Sequence, residues 1–482
     1  MPFKPVLLWS DAMVWLLAAL ITAGVVWAMR REYLRRAWHK VGESGVAMAS
    51  MTVLLPFVVL GCLDSLHYQP RLPPRPGDTV VTYAPEVLSV LDALAADLRT
   101  RREKTYSAPL ALHLFAKETV EMPDGRQTRV YPRLKYAGTG LADDAGHRAD
   151  LLRRAGQGLA AGAALWAGVA GLVVALLARR RGTSLGAAAA ALLRPPPAGG
   201  ARPIAWGAAL GALAVLCALG GPLFWLAGDY HVFGTDKVGQ DVLYLTFKAV
   251  RVALLIGTLT TLVTLPLAIA LGLVAGYKGG RWDDAIQYLY TVLNSIPGVL
   301  LIAAMVLMMQ VIIDTHPEWF ETAAQRADAR LLALCFILGL TSWTGLCRLL
   351  RGEALKLREL EYVQAARAFG VGDLAIMTRH ILPNVAHIVL ISLVMDFSSL
   401  VLSEAVLSYI GIGVDTSTTS FGTMINAARL ELSREPVVWW ALAAAFVFMV
   451  TLVLAANLLA DAVRDAFDPR WQSRARPRKA IA

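Results

Sequence analysis

Asp396 and Glu404 stand in an otherwise apolar run, Ala386 to Ile410, eight residues apart and so near one face of a helix. Carboxylates are costly in hydrocarbon, and at such positions they mark proton relays, translocation paths or subunit interfaces. Asn294 and Pro297, in the stretch NSIPG, have the makings of a kink that lines a path or simply packs against a neighbour. His380 and His387 have no partners at metal-ligand spacing, and Cys62, Cys217, Cys335 and Cys347 lie within or at the ends of apolar runs. Neither a metal set nor a disulfide framework is therefore expected. No GxxxxGK[ST] phosphate loop and no HExxH occur, which excludes ATP hydrolysis by the P-loop route and zinc proteolysis of the familiar kind. No catalytic residue is expected, and energy for any work must come from elsewhere.

The elements that hold these residues are membrane helices. The 482 residues are 56% hydrophobic and 17% charged, with a mean hydropathy of +0.53, too apolar for a soluble protein of this size. The net charge of +10 fits basic loops against anionic lipid better than nucleic acid. Asp11 to Met29 is long enough to span a bilayer, and Arg30, Arg31, Arg35, Arg36 and Lys40 crowd the loop after it. A signal peptide would carry its basic residues before the run, so this one is expected to be retained with its C-terminal end in the cytoplasm. Val46 to Leu63, containing Pro56, returns outward, completing an amino-terminal region 1–63.

Residues 64–154 change to mixed charge and form a soluble insert placed outside the membrane. Val87 to Lys104 has helical spacing, and the stretch from Leu110 alternates around a PDG turn, which predicts a small hairpin. A packing or assembly role is the simplest expectation for this insert. Residues 155–203 hold a third helix, about Gly156 to Ala178, ended by Arg179 to Arg181 and followed by a linker with Pro195, Pro196 and Pro197. Six more apolar segments follow over 204–470: Ile204 to Ala227, Val250 to Tyr277, Ala285 to Ile313, Leu331 to Cys347, Ala386 to Ile410 and Val437 to Ala460. Basic loops put Lys278 and Arg281, the Glu361 region and the tail 471–482 on one side. The expectation is an all-α multi-pass protein, amino terminus out and carboxyl terminus in, with three helices preceding a six-helix core. Gly272 and Gly276 are spaced for close helix packing.

One stretch does not fit a simple loop. Between the fourth and fifth core segments lies EYVQAARAFGVGDLAIMTRHILPN, Glu361 to Asn384, charged and helix-prone with Gly370 in its middle. Ala365 and Ala366 keep one arm slim, Gly370 permits a turn, and Pro383 is expected to end the second arm before the membrane is re-entered. The alternative is an ordinary amphipathic helix on the membrane surface.

This stretch resembles the EAA loop of ABC-importer permeases, here spanning 353–384. Gln364, Ala365, Ala366 and Gly370 fill the first part of the pattern, with Gln364 in place of Glu, and Leu382 and Pro383 fill the second, with His380 where Ile is usual. FGTDKVGQDV (Phe233 to Val242), GLVAGYKGG, LSEAVLSYIGIGV and DAVRDAFDPR resemble the DppC/OppC branch, which serves dipeptides, oligopeptides and nickel, in order and spacing. The resemblance covers about residues 204 to 470 and leaves the first 200 as an atypical extension. It implies a type I permease core in a bacterial inner membrane. It also implies an ATPase-coupling role for Glu361, Gln364, Ala365, Ala366, Gly370, Leu382 and Pro383, and favours a path or interface role for Asp396 and Glu404. The implied partners are a second DppB-like permease, two ATP-binding subunits that hold the ATP, a periplasmic solute-binding protein and membrane lipid. The competing reading is an ATP-independent secondary carrier or membrane scaffold.

Overall fold

The computed structural model describes residues 3–72, 82–121, 127–141, 143–193, 203–415 and 417–467. Pro73, Pro74 and Pro76, the PDG turn, the Pro195 to Pro197 linker, Thr416 and the tail from residue 468 lie outside the described residues. Among the described residues nine helices are long and apolar enough to cross a membrane. That solution follows from the solvent, because in hydrocarbon every backbone N–H and C=O must be satisfied within its own segment.

In chain order, strand β1 (Phe3–Val6) leads into α1 (Trp9–Arg30), α2 (Glu32–Glu43) and α3 (Gly45–Asp64). The basic stretch expected as a loop is thus the helix α2. Its polar and apolar residues segregate at helical spacing, with Arg36 donating to Glu32 one turn away. Strands β2 (His67–Pro70) and β3 (Leu88–Ser89) follow, then the short α4 (Val90–Leu94) and α5 (Ala96–Thr100). The single helix expected from Val87 to Lys104 is broken at Ala95, where Asp92, one turn earlier, is drawn into a buried network described below. β4 (Glu118–Glu121) and β5 (Gln127–Val130) pair antiparallel as the hairpin that the alternation predicted.

α6 (His147–Arg181) begins well before the expected third span, and α7 (Leu185–Leu193) occupies part of the expected linker. Its sequence LGAAAAALL explains why, since alanine and leucine are the best helix formers. The core comprises α8 (Trp206–Ala227), α9 (Val242–Lys278), α10 (Gly280–Ser295), α11 (Gly298–Thr315), α12 (Ala323–Ser342), α13 (Thr344–Arg358), α14 (Glu361–Ala368), α15 (Asp373–Ile376), α16 (Leu382–Ile410), α17 (Phe421–Glu431) and α18 (Trp440–Phe467). The expected single span Ala285 to Ile313 is two helices. Ile296 is extended (φ −92°, ψ 133°) before Pro297, as the proline ring disfavours a helical predecessor.

The chain forms two compact units. One contains residues 1–6, 39–252 and 419–459. Within it α6 crosses α8 at small residues: a Cβ on Gly162 would lie 2.3 Å from the Cys217 carbonyl oxygen, and one on Gly158 2.6 Å from that of Gly221. β1, β2 and β3 form an antiparallel sheet with Phe3 opposite Pro70 and His67 opposite Ser89. The insert is folded onto helix ends. Leu112, Leu114 and Leu134 share a buried cluster with Leu226 and Tyr230, and Leu91 shares another with Leu243 and Phe247.

Charge is buried at the same place. Glu103 accepts from the Lys135 and Tyr136 backbone N–H groups (3.0 and 2.8 Å) and lies 3.6 Å from His231, whose other ring nitrogen is 2.8 Å from Asp241. Burial alone would lower the His231 pKa, but the hydrogen bond to Asp241 and the nearby Glu103 raise it to about 9. Burial would raise Glu103, yet His231 and the two backbone donors hold it below its ordinary value. Lys248 bridges Asp64 (2.6 Å) and Asp92 (3.2 Å), and Tyr244 donates to Asp92 (2.7 Å). Gly239 (φ +72°) lies so close to Glu103 that a Cβ would meet its carbonyl oxygen at 1.8 Å.

The second unit contains, among the described residues, those within 7–38, 253–418 and 460–467. α1 is tied to α12 where Ser10 donates through its backbone (3.0 Å) and its hydroxyl to buried Asp328. α9 is the helix against which others close in. A Cβ on Gly276 would fall 2.5 Å from that of Ala354 on α13, and one on Gly272 2.9 Å from the Cys347 carbonyl oxygen. The GxxxG spacing is used for close packing inside the chain.

Candidate functional site

The Glu361 segment is built on the second unit. Leu360 is extended, and α14 then runs with Glu361 in its first turn and Arg367 in its last, both favourable to the helix dipole. Gly370 (φ +78°) ends it in a Schellman motif: the Gly370 N–H reaches the Arg367 carbonyl (3.0 Å) and the Val371 N–H reaches that of Ala366 (3.1 Å). A Cβ at Gly370 would meet nothing within 4 Å, so the backbone turn and not crowding demands glycine here.

The second arm is not a separate helix that Pro383 ends. α15 passes through a widened π turn, Met377–Ile381, into α16, and Pro383 sits in the first turn of α16. The Leu382 N–H bonds back to the Met377 carbonyl five residues earlier. This looser turn accommodates a proline whose ring and missing N–H do not fit a regular helical interior. Asp373 to Ile410 is consequently one 38-residue rod.

The inner side is packed. Val363, Ile376, Met377, Ile381 and Val385 join a buried cluster with Ala275, Leu350 and Ala354, and Ala366 and Leu382 rest against it. Polar ties reinforce the seat. Asn384 donates to the Tyr362 hydroxyl (3.0 Å), Tyr277 donates to Asp373 (3.3 Å), and Gln364 donates to the Glu359 carbonyl (3.2 Å). Nearby, Arg351 forks onto both oxygens of Asp283 (2.5 and 2.8 Å), and its hydrogen bonds hold that carboxyl below the usual range.

The outer side is open. Glu361, Gln364, Ala365 and Pro383 are exposed, and Phe369 is 87% exposed, Leu374 71% and Val371 37%. Beside them a groove of about 540 Å³ is lined by Tyr277, Lys278, Arg358, Glu359, Gln364 and Arg367, a mainly basic rim. Phe369, Val371 and Leu374 were not singled out from the sequence. The signal was present in FGVGDL, three apolar side chains set around glycines in an otherwise charged segment.

The other predicted residues are scattered. Asn294, exposed at the end of α10, accepts from Thr344 (3.2 Å), and Pro297 is exposed between α10 and α11. Glu404 is buried and accepts from Ser408 (2.6 Å), one turn from the end of α16. Asp396 is only half-buried, and among the described residues its carboxylate makes no such bond. The two carboxylates thus share a helix but not an environment.

Residues 268–473 match the family described as binding-protein-dependent transport system inner membrane component. A candidate peptide permease of Brucella suis biovar 1 is 32% identical over 241 residues, covering 50% of this chain and 73% of that protein. The chain belongs to this family of transport-system membrane components. Further permease relatives are the dipeptide transport system permease protein DppC of Lactococcus lactis subsp. cremoris, 30% identical over 50% of this chain, and the oligopeptide transport system permease protein OppC of Mycobacterium bovis, 29% over 51%. The chain spans 64% of the former and 78% of the latter. A chain of the inward-facing MetNI methionine ABC transporter aligns over 47% of this chain and 98% of its own at a TM-score of 0.36 and 16% identity. Glu361 to Asn384 lies inside the family match, whereas the insert, α3, α6 and α8 lie outside it.

Proposed function

We propose that this chain is the permease subunit of an ATP-driven importer for peptides or a related small solute. It would form half of a translocation path with a DppB-like permease, served by two ATP-binding subunits and a periplasmic solute-binding protein. One observation carries the reading: an apolar tip, Phe369, Val371 and Leu374, stands open on a rigidly seated turn. Exposed aromatic and aliphatic side chains ringed by charge are what a partner's pocket buries. ATP belongs to the partner, and this chain receives displacement. Closure of the ATPase pair moves the tip, and because α15 continues into α16 a push on Leu374 reaches the membrane without a loop to absorb it.

The basic ends favour a cytoplasmic position for this tip, Lys278 and the tail, with the insert and the amino terminus outside. Asn294, Pro297 and Asp396 take path or interface roles, while Glu404 braces the end of α16. Uptake in membranes with and without the ATP-binding subunit tests the proposal, and uptake that survives its loss contradicts it. Cysteine at Glu318 should label only from outside and cysteine at Phe369 only from inside. The reverse pattern would overturn the orientation.

A further inference from the structure

The arginine-rich end of α6 carries a feature that coupling does not use. Val173, Leu176 and Leu177 on α6 face Pro203, Ile204 and Trp206, at the start of α8, across a cavity of about 360 Å³. Its wall is apolar, and its rim carries His39, Arg180 and Arg181. All these residues belong to one compact unit. His39 is engaged by Glu43 at 2.9 Å. Arg180 and Arg181 are exposed, and among the described residues no carboxylate pairs with either.

We propose that this slot binds an anionic phospholipid. One acyl chain would lie along Val173, Leu176, Leu177 and Trp206, with the phosphate on Arg180 and Arg181. The wall and the rim together select that occupant. A neutral lipid fills the slot but leaves two guanidinium groups unneutralised at the membrane surface, whereas free phosphate satisfies them and leaves the hydrocarbon wall wet. Guanidinium meets phosphate in a two-pronged geometry, and basic pockets between spanning helices are where anionic headgroups settle. Trp206 sits where an indole is favoured, at the boundary between chain and headgroup. The site lies outside residues 268–473, between the additional helix α6 and the start of α8, the first helix of the core. It rests on the membrane-spanning reading of α6 and α8 and not on transport, and its test involves no transport assay.

The full chain, purified in detergent and exposed to equal amounts of phosphatidylglycerol and phosphatidylcholine with matched acyl chains, is weighed intact by native mass spectrometry. The wild type should retain one phosphatidylglycerol with roughly thirty-fold preference, the factor expected when two basic groups meet one anionic headgroup. R180Q/R181Q should bring that preference to near parity, and R180K/R181K should keep most of it. L177W fills the slot while leaving both arginines, and should expel lipid of either kind. Equal retention of the two lipids by the wild type overturns the proposal, as does preference unchanged in R180Q/R181Q. Wild-type retention in L177W would reduce the site to surface electrostatics, and displacement of phosphatidylglycerol by inorganic phosphate would make it a phosphate site. Either result rejects the lipid slot.

Discussion

Around His231 the chain buries charge and answers it from within, whereas around Gly370 it exposes hydrocarbon that nothing among the described residues covers. His231 is 3% exposed between Asp241 and Glu103, and the insert that supplies Glu103 lies more than a hundred residues away in sequence. Tyr106 of the same insert donates to buried Glu431 (3.1 Å), and Trp440 donates to the Thr235 carbonyl (3.0 Å). Phe369 is 87% exposed on a turn whose Phe369, Gly370 and Val371 N–H groups are bonded and whose inner side is packed. The first is a finished interface, and the second has the rigidity of one without its other half. Buried, answered charge marks what the chain does for its own fold. In the function proposed, the rigid apolar tip is what it offers to another subunit.

The largest effect is expected where charge is buried. Asp241→Leu takes the nearer carboxylate from a buried imidazolium, leaving Glu103 at 3.6 Å, and should destabilise this unit by about 3 kcal/mol, read as a fall in melting temperature and faster hydrogen exchange over residues 228–241. A loss within experimental error would mean the network is decorative. The same network gives a pH signature. The folded pKa of His231, about 9, lies above its ordinary 6.5, so its stabilisation is complete below 6.5 and drains away as pH rises through about 9. Protease sensitivity of the insert should rise over that window, and His231→Gln should remove the pH dependence.

Phe369→Ala should leave the melting temperature unchanged and weaken binding of the ATP-binding subunit by roughly 2 kcal/mol, about thirty-fold in Kd. A variant that melts early but binds normally would reverse the assignment of the two regions. Gly370→Val forces a β-branched residue into the left-handed region, at roughly 1–2 kcal/mol of local strain. The strain should be felt as ATP hydrolysis that no longer drives uptake, with the protein still in the membrane. At the small end, Glu32→Ala removes an exposed i, i+4 pair with Arg36 and should change stability by no more than about 0.5 kcal/mol.

Much of this architecture was legible because membrane spans announce themselves by length and hydropathy. The turn at residue 370 was legible because Gly370 interrupts a charged, helix-prone insert, and the hairpin because its alternation has period two. What escaped has physical reasons. α2 hid behind its arginines, which charge counting takes for a loop although their helical spacing segregates polar from apolar. α7 hid in an alanine-rich stretch flanked by prolines. The break at Ile296 and the continuity through Pro383 are opposite outcomes for proline, decided by whether a neighbouring turn can widen. The partners of Glu103, Asp92 and Tyr106 lie 128, 156 and 325 residues away, beyond any local pattern. Deleting residues 64–154 would take Glu103 from His231 and both Asp64 and Asp92 from Lys248, so the insert cannot be removed as an independent piece.

The central claim is that the tip at Phe369 is held by an ATP-binding subunit. A photo-crosslinking amino acid placed at position 369 tests it most directly, in native membranes that contain the whole transport system. One dominant adduct is expected, with a P-loop ATPase, lost when Leu374 is replaced by Asp. Crosslinking to lipid alone, or an unchanged ATPase adduct in the Leu374→Asp background, would contradict it.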